Sequence, residues 1–123
     1  MPLRIALAQV NPTVGDLPAN AALVRTASRA AADAGALLVV FPEMVLTGYP
    51  VEDLALRPSF QDASRQRMHD LAAELDADGL GHLTILVGYL DYLDDDTVTT
   101  TGRPRRAPVN AAAIVQSGRV VAR

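Results

Sequence analysis

The chain reads as an α/β protein, a mostly parallel and mixed sheet with two long helices on one face, and three stretches predict it. Ala36–Pro50, A-L-L-V-V-F-P-E-M-V-L-T-G-Y-P, opens with five large apolar residues, Leu37 to Phe41. That run is too short for a membrane span and predicts a strand buried on both faces. Upstream, Leu23, Ala27, Ala30 and Ala34 recur at helical spacing with Arg25, Arg29 and Asp33 opposite, an amphipathic helix with a thin alanine face. Before that helix, Leu3, Ile5 and Leu7 alternate within Leu3–Val10. The result is a strand, helix, strand unit of the length a parallel crossover needs.

Each element has its own signal. The first strand, Leu3–Val10, ends at the turn-forming pair Asn11-Pro12. Asp16 can cap the helix, Pro18 suits its first turn, and Gly35 stops it. Pro42 ends the buried strand because it has no N–H for the ladder. Thr47–Pro50 reads as a turn and Val51–Leu56 as a short helical segment. Ser59-Phe60-Gln61-Asp62 has the form of a capping box, with Phe60, Ser64, Met68, Leu71 and Leu75 behind it, predicting a second helix that ends near Asp78-Gly79. Thr84–Tyr89 reads as a third strand in which Gly88 marks a close backbone approach. Leu90–Pro108, with Asp94-Asp95-Asp96, a threonine run and R-P-R-R, reads as a polar, mobile excursion. Val109–Gln116 is a fourth strand, Ser117-Gly118 a tight turn, and Arg119–Val121 the start of a fifth strand. No internal repeat or domain boundary interrupts this order.

Composition narrows the function. At 123 residues, 50% hydrophobic and 20% charged, the chain is an ordinary globular domain. A domain of this size buries roughly two-thirds of its unfolded surface. A net charge of −3 gives none of the basic footprint of a nucleic-acid binder. Ile5–Val10 is broken by Gln9 and lacks a small-residue cleavage site, so no secretory signal is expected. No stretch approaches the roughly 20 apolar residues of a membrane helix, and cytoplasm is the expected compartment. There is no cysteine, and all eleven Lys+Arg residues are arginine.

Glu43 is the candidate catalytic residue. It follows Pro42 at the C-terminal end of a buried strand, the edge of an open α/β sheet where ligands bind. A carboxylate there is costly to bury without a partner, which points to chemistry. Spacing alone leaves a solvated loop glutamate as the simpler account. A dinucleotide-binding turn is disfavoured because Asn11–Leu17 offers only Gly15 where a pyrophosphate needs several glycines. His69 and His82 have no ligand-type neighbours at metal spacing and read as surface, and no metal site is expected. The triple aspartate lacks the alternating ligands of a calcium loop, and Arg103, Arg105 and Arg106 read as its charge balance. Tyr49 reads as a packing anchor, Glu52 as an acid complementing a helix dipole, and Asn110 as an amide bonding backbone. None of the three is assigned a catalytic role.

The wording of three segments adds a family. A-L-A-Q-V-N-P-T-V-G-D-L-P-A-N (Ala6–Asn20), F-P-E followed by L-T-G-Y-P-V-E-D-L (Phe41–Leu54), and V-N-A-A-A-I-V-Q-S-G-R-V-V-A-R (Val109–Arg123) lie in order across nearly the whole chain. Together they resemble the nitrilase (carbon-nitrogen hydrolase) superfamily, and within it the glutaminase domain of glutamine-dependent NAD+ synthetases. F-P-E alone is shared broadly, so another nitrilase-superfamily amidase, or a non-catalytic binding module on the same scaffold, stays open. Val109 departs from the family, where a tyrosine commonly precedes the asparagine. The resemblance implies that residues 1–123 are a partial glutaminase domain, the N-terminal part of an α-β-β-α sandwich. It implies a glutamate, a lysine and a cysteine nucleophile that hydrolyse glutamine, with Glu43 as the glutamate. The lysine and cysteine are expected beyond Arg123. The fragment alone is therefore expected to be inactive. No cofactor is expected in this chain, because ATP and Mg2+ belong to a separate synthetase domain. The expected partner is glutamine, with no nucleic acid or membrane, and a homo-oligomer is expected for the full enzyme.

Overall fold

Side-chain and backbone caps start the first helix where the sequence predicts. Asp16 Oδ1 accepts from the Ala19 N–H at 3.1 Å, and Pro18 sits in the first turn of α1 (Leu17–Asp33). The computed structural model describes residues 2–98 and 104–123. Around α1 lie β1 (Ile5–Leu7), β2 (Leu38–Val40), a 3-10 turn (Glu52–Leu56), α2 (Pro58–Ala77), β3 (Thr84–Val98), β4 (Pro104–Gln116) and β5 (Arg119–Ala122). The sheet runs β1-β2-β3-β4-β5, with the first two pairings parallel and the last two antiparallel. This is the mixed α/β sheet the sequence predicts.

Both helices cover one face of the sheet. Val24 of α1, Leu71 and Leu75 of α2, and Val39, Ile85, Val87, Ala113 and Val115 of the sheet are buried together. Strand side chains alternate between faces, so the neighbours of these residues point the other way. On that side Ile5 is 49% and Leu7 73% exposed, and Leu38, Val40, Leu86 and Ile114 are half-buried. Leu37, just before β2, is 52% exposed. The strand after α1 is therefore buried on one face, not on two as its unbroken apolar run predicts.

Four other expectations change. β1 pairs over three residues only, because parallel pairing ends where the chain leaves for α1. The buried stripe of α1 is Leu17, Asn20, Ala21, Val24, Ser28 and Ala31, about one residue round from Leu23, Ala27, Ala30 and Ala34. Alanine on several sides makes the apolar stripe ambiguous, and the polar Asn20 and Ser28 occupy the inner face. Ser59 is not the cap of α2: Arg57 holds that place in extended conformation, no side chain caps the helix, and Pro58 begins it. Proline's φ already suits the first helical position, so the helix begins before the serine.

The fourth change is the largest. The described parts of Leu90–Pro108, residues 90–98 and 104–108, are not an excursion, since β3 and β4 continue there as an antiparallel pair past the rest of the sheet. The register sets Tyr92 opposite Pro108, Asp94 opposite Arg106 and Asp95 opposite Arg105. Opposite charges at facing positions such as Asp94 and Arg106 stabilise a strand pair. Arg106 spends its closest contact on Asp62 of α2, at 2.7 Å, with Asp94 at 3.9 Å. Arg103 and the centre of the segment lie outside the described residues. His69 and His82 are exposed, as expected.

Candidate active site

Glu43 begins the turn that follows β2, with its side chain exposed while Met44–Gly48 behind it are buried. Several contacts hold this turn. Phe41 N–H donates to Leu86 O at 3.0 Å, continuing the ladder past β2, and Val45 N–H closes back on Pro42 O at 3.3 Å. Leu46 N–H donates to Gly88 O of β3 at 3.1 Å. Gly15 N–H donates to Thr47 O at 2.8 Å, tying the turn to the loop after β1. Asn20, fully buried on α1, donates to Thr13 O at 2.8 Å and Leu46 O at 3.0 Å and accepts from Thr13 N–H at 2.8 Å. One amide thus joins both loops at the C-terminal edge of the parallel strands.

Two glycines allow this closeness. A Cβ on Gly88 would stand 2.5 Å from Met44 N and 2.7 Å from Pro42 O, so the Glu43 turn lies directly on the β3 backbone. Gly88 thus marks the close approach predicted for it. A Cβ on Gly48, whose φ is +79°, would stand 2.6 Å from Val14 Cα. Only glycine meets both demands at low cost there.

Glu43 has one side-chain partner that sequence reasoning missed. Asn110 of β4 donates from Nδ2 to Glu43 Oε1 across 67 residues of chain. The amide bonds a carboxylate, not the backbone expected of it, because β4 lies beside the glycine over which the turn folds. No local signal announces such a pairing, since it depends on register. Tyr49 is 70% exposed and is no packing anchor, as the turn faces it outward. Glu52 and Asp53 occupy the first turn of the 3-10 segment, the position predicted for a dipole-complementing acid.

A second polar cluster lies along the hairpin. Asp91 is 3% exposed and accepts from Tyr89 Oη at 2.8 Å, Tyr92 N–H at 2.8 Å and Arg65 Nε at 2.6 Å, with Arg123 at 3.2 Å. Burial opposes its ionisation, but the Tyr89 hydroxyl, the Tyr92 N–H and the Arg65 guanidinium outweigh that and hold its pKa below the ordinary value. Burial first, then the hydrogen bond to Asp91 and the charge of that carboxylate, raises the pKa of Tyr89. Arg65 and Arg106 lie over the Tyr92 ring, at 3.6 and 4.2 Å from its centroid. A cavity of about 620 Å3 borders this cluster and reaches Asn110. Among the described residues no three His, Cys, Asp or Glu side chains gather closely enough to hold a metal ion. No helix among them is long and apolar enough to cross a membrane.

The fold is a mixed α/β sheet that presents one carboxylate, Glu43, on a turn at the C-terminal edge of its parallel strands, the edge where ligands bind in open α/β sheets. Residues 4–88 match the carbon-nitrogen hydrolase family model, and the chain belongs to that family. It is 40% identical over 119 residues to the glutamine-dependent NAD(+) synthetase of Thermotoga maritima, covering 97% of this chain and 18% of that protein. To the enzyme of the same name from Rhodobacter capsulatus it is 43% identical over 121 residues, covering 98% of this chain and 19% of the relative. A crystal structure of a glutamine-dependent NAD(+) synthetase from Cytophaga hutchinsonii superposes with a TM-score of 0.75 at 24% identity, covering 96% of this chain and 18% of that one. The chain thus spans about a fifth of the length of the curated relatives it matches.

Proposed function

We propose that this chain is the N-terminal part of a glutaminase domain in a glutamine-dependent NAD+ synthetase, with Glu43 as its proton-shuttling carboxylate. The observation that carries the reading is Glu43 itself, held at the end of β2 by a turn that rests on Gly88 and is tied down by Asn20. The family resemblance supplies the rest. Amide hydrolysis needs a nucleophile, stabilisation of the tetrahedral oxyanion, and a proton donor for the departing ammonia. Glu43 takes the proton from an attacking thiol and returns it to the leaving nitrogen. The thiolate and the lysine that faces the oxyanion come from outside these residues, which contain neither cysteine nor lysine. The ammonia then serves amidation of nicotinic acid adenine dinucleotide at a synthetase site where ATP and Mg2+ are consumed. No residue of this chain is assigned to hold them.

Ammonia release from glutamine tests this reading. The longer protein that carries this chain is expected to release ammonia from glutamine, and the 123-residue chain alone to release none. Among the described residues no serine or threonine hydroxyl donates to a carboxylate or an imidazole, and serine does not simply replace a thiolate. Release by the isolated chain, or a longer protein that spares glutamine and cleaves another amide, would overturn the proposal.

A further inference from the structure

We propose that Asn110 is the positioning residue for Glu43, selecting which carboxylate oxygen stays free for proton transfer. The inference rests on the glutaminase reading above and adds a residue to it. Asn110 Nδ2 donates to Glu43 Oε1, so Oε2 is the oxygen left for the reacting partners. The surrounding sheet makes this contact possible. In the β3–β4 register Gly88 faces Ala112 and Leu90 faces Asn110. Residues two apart share a face of a strand, so Gly88, Ala112 and Asn110 lie on one side. The Glu43 turn lies on the Gly88 backbone, and the pair next to it across the strands carries only the methyl of Ala112. The Glu43 side chain therefore reaches over β3 to the first polar group on β4. Leu46, in the same turn, is held by Gly88 O and Asn20, and Val45 N–H closes back on Pro42 O, so the backbone on both sides of Glu43 is fixed and its side-chain torsions carry the remaining freedom.

An amide suits this task better than other polar groups. Its NH2 can only donate, so it holds a carboxylate oxygen by a charge-assisted bond. It does not ionise at working pH and cannot compete for the proton that Glu43 carries. Aspartate at 110 has the same shape but no donor and repels the carboxylate.

The test uses the full-length enzyme that carries this chain, assayed with glutamine and separately with ammonium. Asn110→Ala and Asn110→Asp should each lower kcat with glutamine roughly 10- to 100-fold while KM moves less than about threefold. Activity from ammonium and the melting temperature should stay at the wild-type level. In a double-mutant cycle, Asn110→Ala should cost nothing more once Glu43→Gln is present, because its effect passes through Glu43. Wild-type kcat in both Asn110 variants, with Glu43→Gln inactive on glutamine, overturns the positioning role and leaves the glutaminase reading intact. Equal losses with both nitrogen donors, or a full Asn110→Ala effect persisting in the Glu43→Gln enzyme, also overturn it. Undiminished glutamine use by Glu43→Gln sinks the reading on which the proposal stands.

Discussion

Asp91 keeps its charge with 3% exposure because four donors converge on it, and it contributes to how the domain responds to pH. Its pKa lies below the unfolded value of about 4. Its stabilisation is therefore complete above that value and is lost as pH falls through the folded pKa. Tyr89 works in the opposite direction. Its raised pKa adds stability that is present below about pH 10 and lost as pH rises through the folded value. Urea denaturation at low protein concentration should give a plateau between these limits. Asp91→Asn should remove about 2–3 kcal/mol at neutral pH, since it leaves Arg65 and Arg123 facing an uncharged group, and should flatten the acid limb. An unchanged midpoint at pH 7 would show that the cluster contributes nothing. The strand-end position of Glu43 was legible from Pro42 and the apolar run, and its candidacy came from the F-P-E wording and the family resemblance. The Asn110 contact was not legible, because its partner is 67 residues away.

At the scale of elements, the hairpin shows where local reading stops. Caps and stops act between near neighbours, so Asp16, Gly35 and the Ser117-Gly118 turn marked their elements correctly. The polarity of Leu90–Pro108 has its explanation on the opposite strand and on α2. Asp94 faces Arg106, Ser64 donates to Leu90 O at 2.7 Å, and Arg65 donates to Tyr92 O at 2.7 Å. The described ends of a segment that is polar in sequence are thus paired and docked. Amide exchange should be slowest through Ile85–Leu90 and still at least about tenfold slower than in an unstructured chain at Tyr92 and Leu93. Free exchange at those two amides would mean that the strands part beyond the main sheet. The capping box at Ser59 misled for a related reason, because Pro58 had already set the first helical turn.

At the scale of the whole molecule, the sheet carries helices on one face and an open apolar surface on the other. Ile5, Leu7, Leu38, Val40, Leu86 and Ile114 contribute to it, with β1 as an edge strand beside them. The alternation of strand residues made two faces legible, but only the fold shows that one stays uncovered in this chain. Such a surface and edge favour association. Light scattering on the 123-residue chain should show oligomers that dissociate when Leu7→Lys breaks the patch, and a clean monomer at high concentration would count against this. The proposed assignment of Glu43 within the whole enzyme is tested most directly by a single substitution read with two nitrogen donors. Glu43→Gln keeps the shape of the side chain and removes proton transfer, so synthesis from glutamine should fall roughly 10²-fold or more. Synthesis from ammonium, which bypasses the glutaminase, should not change. Equal loss with both donors, or undiminished use of glutamine, would contradict it.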